Sequence, residues 1–305
     1  MSQHRTTARR HVTDGGLETD LVFNHGIDLP EFAAFPLVDS DEGRKLLADY
    51  FRAYVDIAVR AEAPVLLETP TWRANPDHGA ALGYDAAALD RVNRAAVDLL
   101  TDVAEERRDE LVGWEVGGTL GPRGDGYQSA GGVDPDAAAD YHRPQLAAFR
   151  AAGLERAAVL TLTDVGEAVG VARAAADVGL RMGIGFTVET DGRLPDGTTL
   201  PEAVAAVDGA AAPAYFLVNC AHPDHIAAGL ADGGWRERIG GLRVNASRLT
   251  HEELDAMEEL DAGDPRQLAA DQLPLLAAFP EVEVLGGCCG TDARHVAAMW
   301  GVRQP

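Results

Sequence analysis

Short β-branched or apolar runs alternate along the chain with alanine-rich stretches of helical period. The runs HVTDGG (11–16), APVLLET (63–69), ELVGWEVG (110–117), RAAVLTLT (156–163), RMGIGFTVE (181–189), PAYFLVNC (213–220), GGLRVN (240–245) and EVEVLGG (281–287) read as strands. Helical spacing fills the intervals at 41–61, 85–108, 134–153, 165–179, 200–209, 222–232, 264–279 and 292–300. Eight such alternations predict a parallel sheet closed into a (β/α)8 TIM barrel. A doubly wound open sheet is the alternative, but it usually has fewer strands and a glycine fingerprint opening the first helix. No G-x-G-x-x-G occurs in that context, and a P-loop is excluded because Lys45 is the only lysine. No Pro/Ser-rich linker or composition break divides the sequence. One domain over residues 1–305 is expected, with the polar residues 1–10 as a flexible N-terminus.

Composition narrows the partners. A net charge of -23 repels phosphate backbones and anionic lipid headgroups, so neither nucleic acid nor a membrane surface is expected. No uninterrupted apolar run approaches transmembrane length, and the N-terminus has no apolar core of a secretory signal. Three cysteines, an odd number, give no disulfide framework and fit a cytoplasmic protein with reduced thiols. No feature fixes an oligomeric state.

In a barrel of this kind chemistry gathers where strands end at their C-terminal side. Asp14, Gly15 and Gly16 stand there, as do Glu68, Thr69, Thr187, Glu189, Asn219 and Asn245. All three cysteines fall on the same face: Cys220 ends strand 6, and Cys288 and Cys289 follow strand 8. Three thiolates with one position left open make a catalytic zinc site, since a structural site normally uses all four. Adjacent cysteines on an extended strand would point opposite ways. The glycines of GGCCG let the chain leave strand geometry so that both sulfurs turn toward one ion. Burial of the cysteines as small hydrophobes is the competing reading. His222 and His225 follow Cys220 closely but read as surface or cap residues beside Pro223. His295 offers a Cys/His pairing on the last helix. The Gly-rich segment GGTLGPRGDGYQSAGG (117–132) reads as a lid or substrate loop.

These residues also resemble a known family. DGGLETDL (14–21), NCAHP (219–223) and GGCCGT (286–291) are similar to the three hallmark motifs of the homocysteine S-methyltransferase family. That family includes betaine–homocysteine methyltransferases and the homocysteine-binding module of cobalamin-dependent methionine synthase. LLETPTWRANPDHGAALGY (66–84), YHRPQLAAFRAAGLE (141–155) and GFTVETDGRLPDGTTL (185–200) resemble its connecting segments, so the likeness runs over about residues 10 to 300. The resemblance implies a barrel holding one Zn2+ through Cys220, Cys288 and Cys289. A small-molecule thiol, homocysteine, completes the tetrahedron as a thiolate and takes a methyl group from a soluble donor, giving methionine. No catalytic group beyond the zinc site is implied. S-methylmethionine or S-adenosylmethionine suits a chain that ends soon after its barrel.

The resemblance further implies that Asp14, Gly15 and Gly16 hold the amino acid end of the acceptor, with Asn219 a recurrent motif position. Other positions depart from the pattern. Leu160 stands at the position where the family carries the acidic residue that holds the substrate ammonium; Thr161 matches its threonine and Thr163 falls on its proline. Glu18 replaces a small residue, Asp20 the usual Glu, and Trp72 the usual Tyr or Phe. Glu18, Glu68 or Glu189 could supply the missing charge, or the acceptor is a different thiol. The candidate substrate-binding set is therefore Asp14, Gly15, Gly16, Glu18, Thr69, Trp72, Thr187, Glu189 and Asn219. Two alternatives stand beside methyl transfer. One is hydrolysis by zinc-bound water with Glu189 or Asp14 as base; the other is a non-catalytic barrel that binds a thiol amino acid.

Overall fold

A computed structural model describes residues 10–129 and 131–304. Eight parallel strands pair in chain order and close on themselves as a barrel. They are β1 (His11–Val12), β2 (Val65–Glu68), β3 (Trp114–Leu120), β4 (Arg156–Leu162), β5 (Arg181–Phe186), β6 (Tyr215–Asn219), β7 (Ile239–Val244) and β8 (Val284–Gly287). Closure is made by β1, whose Val12 registers with Val65 on one side and Leu285 on the other. The helices that follow the strands include α1 (Asp41–Ala61), α2 (Ala86–Glu105), α3 (Pro135–Ala151), α4 (Val165–Val178), α5 (Leu200–Ala211), α6 (Pro223–Ala228), α7 (Pro265–Asp271) and α8 (Ala293–Met299). Among the described residues no helix is long and apolar enough to cross a membrane.

The helices form where the apolar spacing placed them. In α1, Leu47, Phe51, Tyr54, Val55 and Ala58 are buried at intervals of three and four, so one stripe faces the sheet. Ser40 caps its first turn by accepting from Gly43 N at 3.0 Å, and Glu62 ends it with φ +50. Thr199 and Glu202 form a capping box at the start of α5.

Several boundaries differ from the sequence reading. β1 stops at Val12, because the next residues fold into a loop packed on the turn after β8. β3 begins at Trp114 and runs on through Gly117 and Gly118. A Cβ at Gly118 would lie 2.4 Å from the Phe149 ring of α3, so this glycine admits close helix packing rather than ending the strand. The expected helix at 264–279 splits into α7 and Leu273–Ala278, where Pro274 cannot donate within a continuous helix. The one expected at 222–232 ends at Ala228.

β4 carries an irregularity that shapes the site. Its register with β5 slips between Val159 and Leu162, and Thr161 sits at φ +67. Asn219 of β6 clamps that kink. Thr161 N donates to Asn219 Oδ1 at 2.9 Å, and Asn219 Nδ2 donates to Thr161 Oγ1 at 2.8 Å.

Candidate active site and metal centre

The three cysteines converge at the open end of the barrel. Their Sγ atoms all lie within 4.8 Å of one another. A tetrahedral zinc with sulfurs at about 2.3 Å needs them roughly 3.8 Å apart, so the donor set and spacing fit one soft metal ion with a position left over. Cys220 is held at φ +52, a conformation few non-glycine residues adopt without a strong local reason. Here its N–H donates to Arg243 O at 2.9 Å, and its carbonyl accepts from Thr187 Oγ1 at 3.3 Å and His251 Nε2 at 2.9 Å. His251 Nδ1 donates in turn to Glu189 Oε1 at 2.7 Å. Both ring nitrogens face acceptors, an arrangement that favours the imidazolium. Burial alone would lower its pKa, but Cys220 and Glu189 outweigh it and hold it at about 10. Within the trio, hydrogen bonds from Cys288 and Cys289 make Cys220 the most acidic thiol, and the Cys220 thiolate pushes the other two up.

The glycines around the doublet serve close packing more than turning. A Cβ at Gly286 would lie 2.5 Å from Thr13 Cγ2, and one at Gly287 1.9 Å from Thr291 Oγ1. From the other side, a Cβ at Gly16 would sit 2.5 Å from the Cys288 carbonyl oxygen. Only Gly290, at φ +77, supplies the left-handed residue that completes the turn.

Beside the sulfurs lies a recess of ≈ 580 Å3, counted with its mouth. Asp14, Gly15, Gly16, Glu18, Thr69 and Trp72 line it with Leu160, Cys288 and Cys289. Behind Asp14 is a residue the sequence reading passed over. Arg243 of β7, its side chain 5 % exposed, donates from Nη2 to Asp14 Oδ1 at 2.7 Å and to Gly15 O at 3.2 Å. Its Nε donates to Gly287 O at 3.0 Å, and Nη1 donates to Glu68 Oε2. One guanidinium thus joins the ends of β1, β2 and β8. Burial raises the pKa of Asp14 to about 6, with Arg243 opposing the rise and Glu68 adding to it. Burial, with Asp14 nearby, raises that of Glu18 to about 7.

Three candidates lie behind these walls. Thr187 and Glu189 support Cys220 and His251 as described, and Asn219, fully buried, braces β4 with its amide 3.9 Å from Cys288 Sγ. The hydroxyl of Thr69 is spoken for, 2.7 Å from Thr71 Oγ1 and accepting from Thr119 N at 2.9 Å. Trp72 Nε1 donates to Leu160 O at 3.2 Å, fixing the indole over the recess.

A second recess, ≈ 1110 Å3 with its mouth, meets the first at Cys289, Trp72 and Tyr127. Phe23, Phe32 and Trp72 give it aromatic surfaces, and Asp125, Glu259 and Asp261 give it carboxylates. Tyr127, in the Gly-rich loop after β3, stacks on His251 at 4.3 Å. Its hydroxyl lies 3.2 Å from Cys220 Sγ and 3.4 Å from Cys289 Sγ.

The histidines flagged beside the cysteine motifs serve the frame. His222 caps α6, accepting from Asp224 N at 3.1 Å, and both it and His225 are buried rather than on the surface. His222 approaches Asp224 and Asp271, but Arg248 already pairs with both carboxylates. His295 joins the capping box of α8 and donates to Ala262 O at 2.8 Å. Of the residues missed, Arg243 had a signal, a charge inside an otherwise apolar strand. Tyr127 lay within a loop already marked as a lid, whereas His251 sits in a polar stretch with nothing to single it out.

A barrel that gathers three thiols beside two small-molecule recesses has a donor set able to hold a metal ion and the layout of an enzyme acting on small molecules. The family model for homocysteine S-methyltransferase matches residues 11–301, and the chain belongs to that family. It is 27% identical over 310 residues to the homocysteine S-methyltransferase of Escherichia coli K12, covering 94% of this chain and 93% of that one. The oxidised form of the homocysteine methyltransferase MmuM from Escherichia coli superposes with a TM-score of 0.75 at 24% identity, over 96% of each chain. Its metallated form does so at 0.72, again at 24% identity and 96% coverage of both, which supports the shared barrel.

Proposed function

We propose that this protein transfers a methyl group from a soluble sulfonium donor, S-methylmethionine or S-adenosylmethionine, to the thiol of homocysteine, forming methionine with zinc held by Cys220, Cys288 and Cys289. The observation that carries the reading is the convergence of three sulfurs, with Cys289 at the junction of two recesses. When bound, zinc supplies the charge that keeps an acceptor thiol ionised at neutral pH.

The chain's own residues do the rest. Arg243 fixes the Asp14–Gly15 loop and Gly287, so the acceptor recess is rigid where it meets the cysteines. His251 places positive charge behind Cys220. Tyr127 stands where an incoming sulfur must pass, so its loop has to withdraw as the acceptor enters. The second recess carries three carboxylates, Asp125, Glu259 and Asp261, against the cations Arg73 and His251, and with its ring faces this balance favours a sulfonium donor. Transfer is a single in-line displacement. The acceptor sulfur forms a bond to the methyl carbon, the donor's C–S bond breaks with its electron pair returning to sulfur, and the thiol proton leaves to solvent. Two thioethers result.

The test is a panel of thiols against isotope-labelled methyl donors, with zinc measured on the same reduced sample. About one zinc per chain, lost in Cys220→Ser together with thioether formation, is expected. A metal-free protein with full transfer activity would overturn the reading.

A further inference from the structure

Leu160 leaves the acceptor's α-ammonium without the strand 4 carboxylate that the family pattern provides, and three other carboxylates stood as candidates to replace it. The structure separates them by what each already holds. Glu68 and Asp14 also line the recess, but both are already bound to the Arg243 guanidinium. Glu189 does not line the recess; it is paired with His251 on the far side of Cys220. Glu18 alone lines the recess with no side chain or distant backbone group donating to it among the described residues. It sits only partly exposed, on the short helical turn Leu17–Thr19 after β1, and lines a recess that Leu160 lines too.

From this geometry we infer that Glu18 receives the α-ammonium of the acceptor, replacing from the β1 loop a charge that β4 lacks. The inference rests on the homocysteine reading above and makes Glu18 the specificity-determining contact of that site. A partly buried carboxylate that accepts from no other side chain is incompletely compensated, and a bound cation would complete it. Burial, with Asp14 nearby, raises its pKa, and an ammonium in the recess would oppose that rise. Leu160 then has a role of its own. It presents an apolar wall to the methylene chain of the acceptor instead of a second anion, which would compete for the ammonium.

The experiment compares homocysteine with 4-mercaptobutanoate, the same chain without its amino group, using zinc-loaded full-length protein and S-methylmethionine. The wild type is expected to prefer homocysteine, and Glu18→Gln to lose about 10- to 100-fold of that preference, read as the ratio of the two KM values with kcat for homocysteine little changed. Glu18→Ala is expected to lose as much, and adding Leu160→Glu to it to restore most of the preference by returning the charge to β4. An unchanged ratio in Glu18→Gln, or an equal loss for both thiols, overturns the assignment. If the wild type methylates neither thiol with any donor, the methyl-transfer reading fails. Glu18 is then judged by calorimetry with homocysteine alone, where equal Kd for wild type and Glu18→Gln overturns it and a 10-fold or greater weakening upholds it.

Discussion

Replacing Arg243 with leucine removes the one cation that neutralises two buried carboxylates. The wild-type guanidinium makes four contacts, to Asp14, Glu68, Gly15 O and Gly287 O, and its side chain and both acidic side chains are at most 6% exposed. Breaking a buried ion pair by deleting one partner typically costs about 3–5 kcal/mol, because the remaining charge is left uncompensated. For a chain of this length the unfolding entropy is roughly 0.6 kcal/mol per kelvin, so the melting temperature should fall by about 5–8 °C. The pH dependence gives the diagnostic. Asp14 already titrates at about 6, above its ordinary value of 3.8, with Arg243 as the main force opposing the rise. Without Arg243 its folded pKa climbs further. A carboxylate whose folded pKa exceeds its unfolded one subtracts stability above the unfolded value, and the subtraction is complete only above the folded value. The deficit of Arg243→Leu should therefore be larger at pH 8 than at pH 5. Thermal unfolding of metal-free, reduced protein at both values measures it. A variant as stable as wild type at pH 8, or one whose deficit shrinks as pH rises, would refute the reasoning.

Two further outcomes follow from the same site. Gly16→Ala puts a methyl carbon 2.5 Å from the Cys288 carbonyl oxygen, so the turn carrying both cysteines must move. Metal affinity, followed by the thiolate-to-cobalt absorption of the cobalt-substituted protein, should drop by about 10- to 100-fold. Glu18, at about 7, is neutral below that pH and cannot pair with an ammonium, so the KM for homocysteine should fall as pH rises through 7. Ionisation of the thiol contributes to that trend for any acceptor. The Glu18 share is therefore the part seen with homocysteine, absent with 4-mercaptobutanoate, and lost in Glu18→Gln.

Most of the architecture was legible because apolar periodicity and turn residues act locally. Asp41–Ala61 was bounded to the residue by its cap and its stripe. The metal trio was legible for a different reason, since strand ends in a closed barrel share one mouth, so three cysteines at two strand ends had one place to meet. What escaped the sequence was non-local. Nothing near position 251 in the chain announces that its imidazole will lie against Cys220, nor does anything near 243 reveal that the guanidinium spans from β1 to β8. Glycines misled in a characteristic way. At Gly117 and Gly118 they looked like the end of a strand, and around Cys288 like hinges, but at Gly118 and near Cys288 their main service is to let another segment approach. The left-handed φ at Thr161 and Cys220 was also invisible, because neither residue type favours it and only the Asn219 clamp and the support around Cys220 impose it.

The seam where β1 meets β8 has a consequence for how the protein comes into being. Leu285 O accepts from Thr13 N, Asp14 O accepts from Gly287 N, and Gly16 lies on the Cys288 carbonyl, so segments more than 270 residues apart complete each other. Contacts of such separation form late, after the intervening chain has found its place. During synthesis Cys220 emerges well before its two partners, a lone buried-type thiol with no centre to join. Assembly of the three-thiol site is therefore a readout of ring closure. A chain that has collapsed but not yet joined its first strand to its last is inactive by construction, and only the finished circle acquires chemistry.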